Sequence, residues 1–285
     1  MKTFLITIAA VFITLTAVVY QRLTGPTNPK RVEFAVDGFE YKARFIRSTE
    51  TLLTLDNYKD SKEQSKIEIT LKRVDRDSLV KIESMKLLYR IYPGNDTLSV
   101  TEGVKSSKGF LFSLPSQPPA GKLIYYPVIN MDNGEEMPIS TNGVIIRFKS
   151  PVPGWALIPH VFLMFFAMLL SNLAGIMAFF KHKRALKIAL LTLFMFALGG
   201  LFFGPIVQKF AFGAYWTGWP FGADLTDNKT LLVFVFWLIA YLMNRKRERR
   251  YLLIIASIIT ILVYTIPHST AGSQFDHEKG VVVTG

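Results

Sequence analysis

The sequence predicts an α+β membrane protein: an N-terminal anchor helix, an exported antiparallel β-sandwich and a four-helix transmembrane bundle. Three observations predict it. Half of the 285 residues are hydrophobic and the mean hydropathy is +0.30, high for a soluble chain of this length. The apolar residues gather in 1–20 and 155–267, with a mixed, alternating region between them. Two basic runs, Lys181–Arg184 with Lys187 and Arg245–Arg250, lie between apolar segments, as cytoplasmic loops do under the positive-inside rule.

Those runs also account for the charge. They hold nine basic residues and one acid, and so supply +8 of the net +12. A nucleic-acid partner is therefore rejected. Membrane lipid is the expected partner of the runs, through attraction to anionic headgroups. Region 21–150 holds 20 basic and 16 acidic residues with no basic stripe. There is no cysteine, which excludes disulfide scaffolds, thiolate metal sites and cysteine nucleophiles.

Along the chain, residues 1–20 run apolar after Lys2 and read as a signal anchor with its N-terminus inside. A cleavable signal peptide is the other reading, against which Leu23, Thr24 and Gly25 make a poor cleavage site. Residues 21–29 are a linker. Residues 30–150 read as the exported β-sandwich. Val32, Phe34 and Val36 alternate, as do Ile67, Ile69 and Leu71, and further strands are expected at Ser84–Tyr92, Gly109–Leu114, Lys122–Asn130 and Gly143–Lys149. Turns are expected at Pro93–Asp96, Pro118–Gly121 and Asp132–Gly134. The stretch Pro119–Tyr126 resembles the entry to a late strand of fibronectin-III or immunoglobulin-like domains, which implies a binding or spacing module and no chemistry.

Residues 155–268 read as the four-helix transmembrane domain, with spans at Val161–Phe180, Ile188–Val207, Leu231–Met243 and Tyr251–Ile266, and 269–285 as an exoplasmic tail. This topology places the β-domain, the Phe212–Lys229 loop and the C-terminus on one face of an inner (plasma) membrane. Ala167, Ser171 and Gly175 repeat every four residues, and Gly200 and Gly204 do likewise, the small-residue spacing of packed membrane helices. Asn172 lies mid-membrane, where it either bonds a neighbouring helix or lines a transport path.

The Phe212–Lys229 loop is the least generic stretch, with two tryptophans, a tyrosine, three glycines, a proline and two aspartates. Trp216, Trp219 and Asp227 are expected to form a lid. Asp224 and Asp227 also suit turn and helix-cap positions. His160 and His268 fall at the same ends of their spans, and two imidazoles on different helices suit a b-type haem or a transition metal. Asp224 and His277 are the further candidate metal ligands. Each of these residues has a structural alternative: interfacial histidines, capping aspartates and an aromatic belt.

The run Trp216–Gly222 with Asp224–Lys229, and the run Ile266–Ser269 with Gly272, resemble uncharacterised polytopic inner-membrane proteins of Bacteroidetes-like envelopes. The resemblance covers the membrane half and implies a topology and no activity. No catalytic motif occurs in 30–150, which has neither histidine nor cysteine. The expected function is a non-enzymatic membrane protein that presents the β-domain to a protein partner in an envelope complex. A redox, metal or haem-binding protein is the alternative, and a small-solute transporter the third reading.

Overall fold

The computed structural model describes residues 2–74, 82–94, 96–131, 134–267 and 272–284. The chain is a mixed α/β protein that divides into two compact units. One unit comprises Met1–Pro26, Val152–Ser273 and Val283–Gly285, and the other Thr27–Pro151 and Gln274–Val282.

The first unit is helical. Its elements are α1 (Lys2–Thr24), α2 (Gly154–Phe179), α3 (Ala185–Phe196), a π-helical turn at Ala197–Phe203, α4 (Gly204–Phe212), α5 (Leu225–Lys246) and α6 (Arg250–Thr265). The segments from α3 to α4 run on as one apolar rod, Ala185–Phe212. That rod, α1, α2 and α5 are each long and apolar enough to cross a membrane, while α6 is a shorter apolar helix. The protein is thus built as a multi-pass membrane protein.

The π turn has a local cause. Pro205, in the first turn of α4, has no N–H to donate, and its ring would clash with the carbonyl one turn back. Widening the helix just before the proline relieves that clash.

Small residues let these helices approach closely. A Cβ added to Gly175 of α2 would sit 2.4 Å from the Ser257 side chain of α6, and one added to Gly200 would sit 2.5 Å from Thr230 of α5. Ala167 and Ser171 are fully buried on the same helix as Gly175, whereas Gly204 has more room. The core between the helices includes Ile6, Ala174, Phe196, Trp237 and Leu253. Buried polar groups are bonded across it: Trp237 Nε1 donates to Thr260 Oγ1 at 2.9 Å, and Asn172 Nδ2 of α2 donates to Thr14 Oγ1 of α1 at 2.9 Å. In the absence of water, each such bond removes a costly unsatisfied group.

The second unit is β. In chain order its strands are β1 (Lys30–Val36), β2 (Phe39–Phe45), β3 (Ser48–Glu50), β4 (Gln64–Arg73), β5 (Ser84–Ile91), β6 (Ser99–Glu102), β7 (Val104–Ser106), β8 (Gly109–Pro115), β9 (Lys122–Asn130), β10 (Glu136–Pro138) and β11 (Val144–Lys149). One sheet has the order β1-β2-β4-β8-β7. The other has the order β3-β11-β9-β5-β6, with β10 also on β9. Pairings are antiparallel except β3 with β11. The β1–β2 hairpin turns on Asp37 and Gly38, both at positive φ (50° and 79°), the backbone a two-residue type I′ turn requires.

Alternating residues of both sheets fill one core. Tyr41, Phe45, Ile69 and Phe112 come from the first sheet, and Met85, Leu87, Tyr125 and Phe148 from the second. The Tyr125 hydroxyl, buried by that packing, donates to Ile46 O at 2.8 Å. Burial pushes this phenol above the ordinary tyrosine range.

Two further strands, β12 (Ser273–Asp276) and β13 (Val281–Thr284), form a C-terminal hairpin. Within the stretch 269–285, expected as an exoplasmic tail, residues 274–282 cluster with the β unit. The Phe275 backbone N–H donates to Ala120 O at 3.1 Å, and its ring packs edge-on against Tyr58 with centroids 4.8 Å apart. Lys122 Nζ donates to Gln274 Oε1 at 2.8 Å. The hairpin turn is held by Asp276, whose Oδ1 accepts from the N–H groups of Glu278 and Lys279, both at 3.0 Å.

β6 and β7 end their respective sheets and are one continuous segment broken at Gly103. The Gly103 N–H donates to Met85 O at 2.8 Å, and a Cβ there would meet Phe112 at 2.7 Å and that same carbonyl at 2.8 Å. Only glycine fits where the strand crosses from one sheet to the other.

Candidate functional site: the loop before the fifth helix

Chemistry-bearing side chains of the helical unit concentrate between α4 and α5. The loop begins where α4 ends on Gly213, whose φ of 85° is left-handed and whose N–H donates to Lys209 O at 2.9 Å. It ends on Asp224, the N-cap of α5. Asp224 Oδ1 accepts from the backbone N–H groups of Thr226 (2.7 Å) and Asp227 (3.4 Å), donors the helix leaves unpaired.

Thr217 is the hub. Its N–H donates to Asp227 Oδ2 at 2.7 Å and its carbonyl accepts from the Asp224 N–H at 3.0 Å. Its hydroxyl lies 3.1 Å from Asp224 Oδ2 and 3.3 Å from Asp227 Oδ2, and accepts from Gln208 Nε2 of α4 at 2.7 Å. Ser273 closes the cluster, its hydroxyl donating to Asp224 Oδ2 at 3.0 Å. Thr217, Asp224, Asp227 and Ser273 are all buried. The two carboxylates sit near the positive end of α5, where negative charge is favoured.

Gly218 permits this arrangement, because a Cβ would stand 2.6 Å from Asp227 Cβ and 2.8 Å from Asn228 Oδ1. Asn228 Oδ1 accepts from the Trp219 N–H at 2.6 Å, and Trp216 Nε1 donates to Trp219 O at 3.0 Å. The polar groups thus face inward, while Tyr215, Trp219 and Phe221 are exposed. Trp155, likewise exposed, packs edge-on against Phe210 at 5.7 Å. Exposed aromatics of this kind suit the boundary between lipid and water.

Lys229, one turn into α5, is buried, yet carries its ammonium at the wrong end of its own helix dipole. It donates instead to Ile266 O at 2.9 Å and Pro267 O at 3.4 Å, where α6 ends and its carbonyls lack helical partners.

Three of the four predicted ligands, His160, Asp224 and His277, lie among the described residues. His160 of α2 places Nδ1 2.8 Å from Gly199 O, a carbonyl in the π turn. Facing a carbonyl, Nδ1 carries the proton and Nε2 keeps its lone pair. His268 lies outside the described residues. His277 belongs to the β unit, with its ring 5.0 Å from that of Phe275. Burial holds its pKa below the ordinary histidine value, against the opposing pull of Asp276 and Asp96. Both oxygens of Asp224 are occupied by the bonds above. Among the described residues no group of three or more His, Asp or Glu could hold a metal ion.

Thr217, Gln208, Ser273 and Lys229 escape sequence reasoning. The available signals were the Asp224-x-x-Asp227 spacing, which resembles a capping box and demands a partner for its second acid, and a lysine placed against the dipole.

Compared with known proteins, the chain matches no family model, no curated protein and no solved structure. Its functional reading therefore rests on its own geometry.

Proposed function

We propose that this is a non-enzymatic integral protein of the inner (plasma) membrane whose exoplasmic β-sandwich binds a protein partner, as an accessory component of an envelope complex. The observation that carries this reading is the segment Ser99–Ser106. It forms the edge of both sheets, and Leu98, Val100, Val104 and the neighbouring Leu111 are exposed along it. A sheet edge offers unpaired backbone groups, and apolar side chains beside it supply contact area for an added strand.

Connectivity supports the proposed sidedness. Residues 274–282 belong to the same compact unit as 27–151, so the chain between them crosses the membrane an even number of times. α2, the α3–α4 rod, α5 and α6 supply four crossings. With the basic runs inside, the β-sandwich and C-terminal hairpin are exoplasmic. α1 is a retained anchor in this reading, supported by its bond from Asn172 and by the burial of Ile6, Ala10, Thr14 and Ala17.

The test is photo-crosslinking from Val104 in intact cells. A discrete adduct with one envelope protein, lost in Val100→Lys/Val104→Lys, supports the proposal. A membrane-inserted chain that gives no adduct from Val100 or Val104 overturns it.

One observation favours a second reading, metal or haem binding at His160. Its Nδ1–H is held by a backbone carbonyl, the same outer bond that orients metal-ligating histidines. A haem absorbance band or bound metal, lost in His160→Ala, supports this reading; a colourless, metal-free protein rejects it.

A further inference from the structure

α1 and the end of α2 leave an open groove of about 380 Å³, lined by Lys2, Leu5, Ile6 and Ala9 on one side and by Ile176 and Phe180, the residue after α2, on the other. The first turn of α1 therefore lies beside the last turn of α2. The chain leaves α2 directly into a basic run. Lys181, at a left-handed φ of 55°, donates its N–H to Ala178 O at 3.1 Å, and the His182 N–H bonds Met177 O at 2.8 Å. These two bonds fold the run back against the end of the helix, next to Phe180. Lys2, Lys181, Lys183 and Arg184 are exposed, and none makes a salt bridge among the described residues.

We propose that this groove is a specific site for an anionic phospholipid, with an acyl chain between α1 and α2 and the headgroup phosphate held by Lys2 and Lys181. The walls belong to two membrane-crossing helices, so the medium that meets them is lipid. The headgroup is what discriminates, because acyl chains are as apolar as the leucines they touch. Basic pockets between membrane helices hold anionic headgroups by the same combination. A second copy of the chain is disfavoured as occupant, since it would bring an identical set of cations to the rim. The site rests on the retained-anchor reading of α1, and the intact mass of the purified protein tests that reading separately.

The experiment uses the full chain, purified in mild detergent and examined by native mass spectrometry, then reconstituted in nanodiscs of phosphatidylcholine with increasing phosphatidylglycerol. Wild type is expected to retain one anionic phospholipid per chain. Ala9→Phe fills the groove and leaves the charges, and is expected to lose the bound lipid. Lys2→Gln/Lys181→Gln leaves the groove and is expected to lower the preference for phosphatidylglycerol about fivefold per lysine. The double variant alters only exposed positions, so it remains informative if Ala9→Phe does not fold. The proposal is overturned if wild type with an intact α1 carries no phospholipid, if folded Ala9→Phe retains it, or if the headgroup preference survives loss of both lysines.

Discussion

The side-chain amide of Asn172 donates to the hydroxyl of Thr14 at 2.9 Å, and neither residue is more than 1 % exposed. The Thr14 hydroxyl in turn donates to Ala10 O at 2.8 Å, so the chain of donors ends on the α1 backbone. If α1 were removed, the Asn172 amide would lose this acceptor inside an apolar core.

The first expectation follows from that pair. Thr14→Val should destabilise the helical unit by about 1–2 kcal/mol, the upper range for polar contacts between membrane helices. Thr14→Val/Asn172→Leu should recover most of the loss, since it removes both partners at once. Thermal unfolding in detergent measures both, and equal midpoints for all three proteins would show that the contact is inert.

In the loop before α5, Thr217→Val should cost about 1–3 kcal/mol by leaving Gln208 and the two carboxylates short of a partner. Thr217→Ser, which keeps the hydroxyl, should restore most of it. Gly218→Ala forces the loop off the start of α5 at a cost of about 1–3 kcal/mol. Hydrogen exchange of the 213–224 amides reads the effect directly. Unchanged protection in Thr217→Val would remove Thr217 as the hub.

The β unit carries a pH dependence. Burial, and after it the nearby Arg147 charge, lower Lys122 from 10.5 to about 8. Between those values the unfolded chain holds more protons than the folded one, so stability rises with pH from about 8 to 10.5 and is lost as pH falls back through 8. His277, also lowered by burial, adds a loss of the same sign as pH falls below its ordinary value. Denaturant unfolding of the β unit across this range should show the upper rise, and Lys122→Met should flatten it. A flat wild-type profile above pH 8 would contradict the assignment.

At the sheet edge, Gly103→Ala sets a methyl against Phe112 and the Met85 carbonyl, and should destabilise the β unit by about 1–3 kcal/mol. Val104→Lys, at an exposed site on the same segment, should stay within about 0.5 kcal/mol of wild type. The contrast separates a structural glycine from a contact valine in one denaturation series.

Period and length explain what the sequence reveals. β9 occupies the expected Lys122–Asn130, and β4, β5, β8 and β11 fall within a few residues of expectation, because long half-buried strands alternate visibly. β3, β6, β7 and β10 have three or four residues each, too few for any period to show. Asp37-Gly38 was a readable hairpin signal for β2 that the apolar alternation alone does not expose. The tryptophan-rich loop stood out by composition, but its organising residue is a threonine, the least unusual member of the run. Its role depends on Ser273, 56 residues away, and no local pattern announces such a contact.

The β unit is assembled from two stretches of chain separated by α2 to α6. Phe275 is buried in it, so it reaches its final form only after those helices and residues 274–282 have been synthesised. Until then Ala120 O lacks the Phe275 N–H and the Tyr58 ring lacks its neighbour. Completion of the sheet unit therefore waits on the whole helical stretch that separates its two parts, which makes the hairpin the last piece of the chain to join it.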